Sequence, residues 1–153
     1  MVAISPPATT HKWGSISFAS TLYLQPVLDL LLNKVPSQWQ AELRLGLQEA
    51  LVNSAKHGNG LDPAKTVSVR FSVIGDCHWW VITDQGTGFS HPCSYTLDDD
   101  GGLTLDTAQN VSECGRGLFI LYQIFDDVKW SQAGAELVLC KRIRRWAPLP
   151  LVG

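Results

Sequence analysis

Apolar and polar residues alternate most clearly between Thr66 and Ile74, where Val67, Val69, Phe71 and Val73 stand against Ser68, Arg70 and Ser72. A period of two predicts a half-buried strand. Gly75-Asp76 is a turn signal, and a second strand is expected from about His78 to Thr83, so the pair reads as a hairpin. Trp13 to Phe18 also alternates and is read as a strand. Pro26 suits the first turn of a helix carrying Val27, Leu28, Leu30, Leu31 and Leu32, and Pro36 closes it. Ser37 is the expected N-cap of a long helix from about Gln38 to Lys56, with Leu43, Leu47, Ala50, Leu51 and Ser54 at helical spacing. His57-Gly58-Asn59-Gly60 should end it, because Gly readily takes the left-handed conformation that stops a helix. Phe89 to Cys114 holds Pro92, Asp98-Asp99-Asp100 and Gly101-Gly102 with little periodicity, and reads as a long loop of the functional or mobile kind. A helix from Leu118 to about Phe125 and strands over Val128 to Trp130 and Ala135 to Ile143 complete the set.

Two helices, a hairpin, a loop, a helix and a closing hairpin predict an α+β fold. Its form is a two-layer sandwich, with helices covering one face of a mixed, mainly antiparallel sheet. Residues 1–11, rich in Pro, Thr and Ser, read as a loose leader, 12–145 as a single domain, and 146–153, with Pro148 and Pro150, as a tail. No repeat or low-complexity tract is present.

Composition narrows the function classes. The 153 residues, 45% hydrophobic and 17% charged, suit one domain with a real core. A net charge of −2 gives no reason to expect a nucleic-acid partner. The basic cluster Lys141-Arg142-Ile143-Arg144-Arg145 is short and reads as a solvated strand end or a partner contact. No apolar run approaches the roughly 20 residues that span a bilayer, and no signal pattern opens the chain. Cys77, Cys93, Cys114 and Cys140 are far apart, without a Cys-x-x-Cys pair. They are read as reduced thiols in a cytoplasm.

Three short stretches carry candidate chemistry. Glu49 and Asn53 are four apart, one above the other on a helix face, with Lys56 expected on nearly the same stripe. A Glu takes protons from hydroxyls, an Asn oxygen suits Mg²⁺, and a Lys adds charge near phosphates. The other reading is an ordinary polar helix face. Asp84 ends an apolar strand and is followed by Gly86 and Gly88. A carboxylate there can accept a hydrogen bond from the exocyclic amine of a purine, and the glycines let backbone approach a flat ligand. The other reading is a polar hairpin turn. Gly115-Arg116-Gly117 precedes the apolar helix beginning at Leu118. Glycines there free N–H groups to face phosphate, and Arg116 reaches either a γ-phosphate or water. The other reading is a plain loop-to-helix turn.

In this order and spacing the three motifs resemble the GHKL superfamily of ATPases and kinases, with its Bergerat fold. Glu49 and Asn53 match the N box, Asp84-x-Gly86-x-Gly88 the first glycine box and Gly115-x-Gly117-Leu118 the second. The likeness runs from about Trp13 to Ile143. The stretch from Leu47 to Gly58, Gly115 to Ile120 and Asp126-Asp127-Val128 look like those of the bacterial anti-sigma-factor serine/threonine kinases. Such proteins hold a sigma factor inactive and phosphorylate an anti-sigma-factor antagonist. The resemblance implies ATP and Mg²⁺ as cofactors, Glu49 as general base, Asn53 as the Mg²⁺ ligand and Asp84 as the adenine contact. It also implies that Gly86, Gly88, Gly115 and Gly117 shape the pocket, with residues 89–114 as its lid. Lys56, Arg116 and Leu118 complete the expected nucleotide contacts. In that family the N-terminal end helps to form a homodimer; here Trp13, Phe18, Leu22, Tyr23 and Leu24 either serve that purpose or complete the core.

The chain departs from the pattern at three places. Glu113-Cys114 stands where some members carry a basic or hydroxyl residue. Gly134-Ala135-Glu136 replaces a common Gly-Thr pair, and Asp98-Asp99-Asp100 places carboxylates in the expected lid. These departures motivate a second reading, a catalytically weak or inactive ATP-binding module that acts by partner sequestration. A third is a plain ATPase switch.

Overall fold

The computed structural model describes residues 12–87, 95–97, 103–105, 115–131 and 135–144. The expected leader and tail lie outside these residues. The chain runs through strand β1 (Gly14–Ala19), helix α1 (Gln25–Leu31) and helix α2 (Ser37–Val52), which passes into a π-helical segment (Asn53–Gly58). Strands β2 (Thr66–Ile74) and β3 (Cys77–Thr83), the short β4 (Tyr95–Leu97) and β5 (Leu103–Leu105), helix α3 (Gly115–Ile124), and strands β6 (Asp127–Trp130) and β7 (Glu136–Arg142) follow.

Five strands form one sheet in the order β1-β2-β3-β7-β6. Every pairing in it is antiparallel, so the expected mainly antiparallel sheet is antiparallel throughout. The β2–β3 hairpin holds Val69 opposite Ile82 and Phe71 opposite Trp80. On the neighbouring pair Trp80 faces Leu139 and Ile82 faces Leu137. The period of two therefore gathers Val67, Val69, Trp80, Ile82, Leu137 and Leu139 onto one buried face.

The helices cover that face. Leu43, Gly46, Leu47, Ala50 and Leu51 make the buried stripe of α2. Leu118, Leu121 and Ile124 make that of α3. The two helices meet closely at Gly46, where a Cβ would lie 2.7 Å from Cε2 of Phe125. The Phe125 ring packs edge-on to Trp80, with centroids 5.8 Å apart. Lys141 Nζ donates to the Ile124 carbonyl at 2.9 Å and lies 4.9 Å from the centroid of the Trp39 ring. A cation at that carbonyl satisfies the end of α3 and opposes its dipole.

Three local expectations are corrected. Pro36, not Ser37, is the N-cap of α2; its carbonyl accepts the Trp39 N–H at 2.9 Å, and Ser37 is already helical. The long helix reaches the expected end, but its last six residues are π-helical. As expected of the glycines at its end, left-handed backbone follows the segment, at Gly60 and also at Leu61. The stretch expected to be a loop contains a two-stranded pairing, Tyr95 with Leu105 and Leu97 with Leu103. Three-residue strands are too short for a period of two to stand out.

Candidate active site

The end of α2 brings the acid and the amide to α3. Glu49 and Asn53 are four residues apart, so both point from one face of the helix. Opposite them is Gly117, in the first turn of α3, where a Cβ would lie 3.0 Å from Glu49 Oε2 and 3.6 Å from Asn53 Nδ2. A side chain at 117 would occupy the space beside the carboxylate, so the glycine keeps this corner open. Gly115 and Gly117 lie inside α3 rather than ahead of it. They still belong to its first turn, whose backbone N–H groups lack intrahelical partners. Leu118 is buried in the hydrophobic core and seats this turn from beneath.

The π-helical segment follows Val52 directly and begins at Asn53. Its i→i+5 pattern breaks the α-helical phase that placed Lys56 on the stripe of Glu49 and Asn53. Lys56 is exposed, and both it and His57 lie in the last turn of the segment.

Asp84 leaves the sheet after β3, its N–H donating to the Ala135 carbonyl at 2.9 Å. Its carboxylate oxygen Oδ1 accepts the Gly86 N–H at 2.8 Å. Burial pushes the Asp84 carboxyl above its ordinary value, while the Gly86 hydrogen bond and the charge of Lys65 pull it back. The carboxylate rests against Gly58: a Cβ there would overlap its carbon and both oxygens. A Cβ on Gly86 would in turn overlap the Gly58 carbonyl. Gly58 and Gly86 are therefore matched at a backbone-to-backbone approach that joins the end of the π-helical segment to the Asp84 turn. In sequence Gly58 reads only as a helix stop; its neighbour Asp84 is distant along the chain, so nothing local to either residue announces the contact.

Asn59 likewise reads in sequence as part of the helix end. It is buried and donates from Nδ2 to Ser20 Oγ and to the Thr66 carbonyl, each at 2.9 Å. Its Oδ1 accepts the Gln85 N–H at 2.8 Å. Gly88, most of 89–114 and the Arg116 side chain lie outside the described residues.

Two clefts lie apart from this set. One, of about 650 Å³, is lined by Trp39, Cys77, Asp126, Cys140 and Arg142. The other, of about 420 Å³, is lined by Trp13, Lys34, Phe71, His78 and Trp79. Neither includes Glu49, Asn53 or Asp84, and volume alone carries no chemistry, so the acid–amide corner remains the candidate site. Among the described residues no group of three or more His, Cys, Asp or Glu could hold a metal ion.

An antiparallel sheet covered by helices on one face, with an acid–amide pair at a glycine-opened helix start and an Asp on a glycine turn, defines a nucleotide-binding class. The chain belongs to the histidine kinase-like ATPase domain family, whose model matches residues 27–141. It is similar to serine-protein kinases RsbW of Bacillus. With that of Bacillus velezensis it shares 30% identity over 102 residues, 65% of this chain and 62% of the relative. With that of Bacillus licheniformis it shares 30% over 109 residues, 68% of this chain and 65% of the relative. With that of Bacillus subtilis it shares 29% over 102 residues, 65% and 62%. The match thus spans just under two thirds of each relative's length. No helix among the described residues is long and apolar enough to cross a membrane.

Proposed function

We propose that this chain is an ATP-dependent protein serine/threonine kinase of the anti-sigma-factor type. It sequesters a sigma factor and phosphorylates a serine or threonine of an antagonist protein. The observation that carries the reading is the corner where Glu49 and Asn53 face Gly117. Similarity to serine-protein kinases supports it.

In this reading Asp84 accepts a hydrogen bond from the adenine amine, and the Gly58–Gly86 approach gives the base a flat wall. The first turn of α3 offers N–H groups to the phosphates. Arg116 supplies positive charge along the same path, Lys56, off the stripe, adds charge only from the solvent side, and Gly88 continues the glycine turn. Glu49 orients the incoming hydroxyl and takes its proton as the phosphoryl group transfers, so positioning supplies most of the rate. An amide oxygen suits a hard cation that keeps few protein ligands, so Asn53 fits the role of Mg²⁺ ligand. When bound, the ion offsets the charge on the phosphates.

The test is phosphate transfer to candidate antagonists. Glu49→Gln should bind ATP as the wild type does and lose transfer by at least 100-fold, within the range attributed to general-base catalysis. Full transfer by that variant would sink the mechanism.

One observation favours the second reading, an ATP-binding module that works by sequestration alone. Ala135, where a Thr is common, brings no hydroxyl to the turn and reaches Asp84 through its backbone carbonyl. Tight ATP binding without transfer to any antagonist would select it. Homodimerisation through the N-terminal end is supported by Leu22 and Tyr23, the latter 74% exposed, whereas Leu24 is core. A cytoplasmic location accords with this function.

A further inference from the structure

Asn59 is 2% exposed and lies between the π-helical segment and β2. A buried carboxamide must find partners for two N–H donors and an oxygen. Ser20 Oγ, the Thr66 carbonyl and the Gln85 N–H supply all three. Gln85 returns the interaction, since its side-chain oxygen accepts the Thr66 N–H at 2.8 Å. Asn59, Thr66 and Gln85 therefore close a ring of three hydrogen bonds. Ser20 is fixed as well, its hydroxyl donating to the Lys65 carbonyl at 2.9 Å. The Asn59 backbone N–H holds the Ser54 carbonyl at 2.9 Å. One residue thus ties together the end of β1, the π-helical segment, the start of β2 and the turn after β3.

The consequence falls on Asp84. A residue has two soft backbone dihedrals, one toward each flanking peptide plane. The plane before Asp84 is held by its own N–H on the Ala135 carbonyl, and the plane after it by the Gln85 N–H on Asn59. The approach to the sheet's last strand provides the first anchor; Asn59 provides the second. We propose that Asn59 is a positioning residue that aims the Asp84 carboxylate and so sets purine selectivity. This rests on the reading of Asp84 as the base contact. Adenine presents an amine donor at the position where guanine presents a carbonyl acceptor. A well-aimed carboxylate accepts from the first and repels the second, so losing the aim erodes the preference before it erodes phosphate binding.

The experiment is calorimetric titration with Mg·ATP, Mg·GTP and Mg·tripolyphosphate, with thermal unfolding of each protein alongside. Asn59→Ala should lose about tenfold in the ATP-over-GTP ratio, the scale of one buried hydrogen bond, and bind tripolyphosphate as the wild type does. Asn59→Asp keeps the acceptor for the Gln85 N–H but sets a carboxylate against the Thr66 carbonyl; it should unfold at lower temperature while retaining the ratio. A purely structural role would not separate the two readouts. If Asn59→Ala does not fold, Ser20→Ala, which frees one anchor of the carboxamide, should lower the ratio about threefold, a fraction of one such hydrogen bond. A folded Asn59→Ala with the wild-type ratio, or an unchanged ratio in Ser20→Ala when only that variant folds, overturns the proposal. Asp84→Asn separates the two failures. If it leaves the ratio intact, the base reading itself is wrong and the positioning role falls with it. If it removes the ratio, the base reading stands and the variants at Asn59 and Ser20 decide the positioning role.

Discussion

Gly58→Ala is the sharpest test of the site, because a single methyl lands on the Asp84 carboxylate. The added Cβ would lie 2.8 Å from Oδ1 and nearer still to Cγ and Oδ2. Ordinary contact needs about 3.5 Å, so the carboxyl must retreat by about 1 Å. Gly58 is not among the left-handed glycines, so the backbone tolerates alanine. Asp84 is only half-buried and can swing, at a rotamer cost of about 0.5–1.5 kcal/mol. Alanine returns up to about 1 kcal/mol in helical propensity, so stability should stay near that of the wild type. Affinity should not. A hydrogen bond to a charged group contributes about 1.5–3 kcal/mol, and losing it weakens binding about 10- to 100-fold. Calorimetry with Mg·ATP and a thermal melt on the same sample read both quantities. A folded Gly58→Ala protein that binds ATP as tightly as the wild type would show that the Asp84 carboxylate does not hold the base.

Three further outcomes follow from the same geometry. Burial raises the Asp84 pKa, so its charge costs stability that appears as pH rises from 3.8 through the folded value; Asp84→Asn should melt at or above the wild-type temperature at neutral pH, and the wild type alone should lose ATP affinity on acidification above the usual carboxylate range. Burial, with the Cys77 thiol beside it and Asp127 and Asp126 near, pushes Cys140 up to about 12; at pH 8 iodoacetamide should label Cys140 only after unfolding, as read by peptide mapping. Gly46→Ala presses a methyl on the buried Phe125 ring and, at 3.1 Å, on Ile124; overpacking of about 1–3 kcal/mol exceeds the propensity gain of about 1 kcal/mol, so urea denaturation should show a net loss.

The parts legible in the sequence are those encoded by local repetition. The alternation of Val67, Val69, Phe71 and Val73 places β2 at its observed bounds. The helical spacing of Leu43, Leu47, Ala50 and Leu51 identifies the buried stripe of α2. Glu49 and Asn53 emerge together because a spacing of four is itself a geometric statement. What escapes depends on partners remote in sequence. Nothing in Asn53-Ser54-Ala55-Lys56 distinguishes an i→i+5 from an i→i+4 ladder, since each residue tolerates both. Gly58 answers to Asp84 and Gly86, and Asn59 to Ser20, Thr66 and Gln85. A polar residue beside two glycines reads as a turn until burial shows that its amide is fully engaged. Ser37 misleads for a related reason: its type suits an N-cap, but the preceding Pro36 already holds the extended backbone that a cap requires.

The anchoring of α3 has a mechanical consequence. Its ten residues span about 15 Å. The far end is held three ways, by Lys141 on the Ile124 carbonyl, by Phe125 against Trp80, and by the absence of a side chain at Gly46. The near end carries Gly117, which faces Glu49 and Asn53. Leu118 pins the first turn to the core as well, so a push there is met along the whole rod rather than at one end. Phe119 and Tyr122, both on the exposed side, ride on that stiff rod. A helix seated at both ends passes a displacement on as a small shift of its whole outer face, the part that a protein resting there would meet.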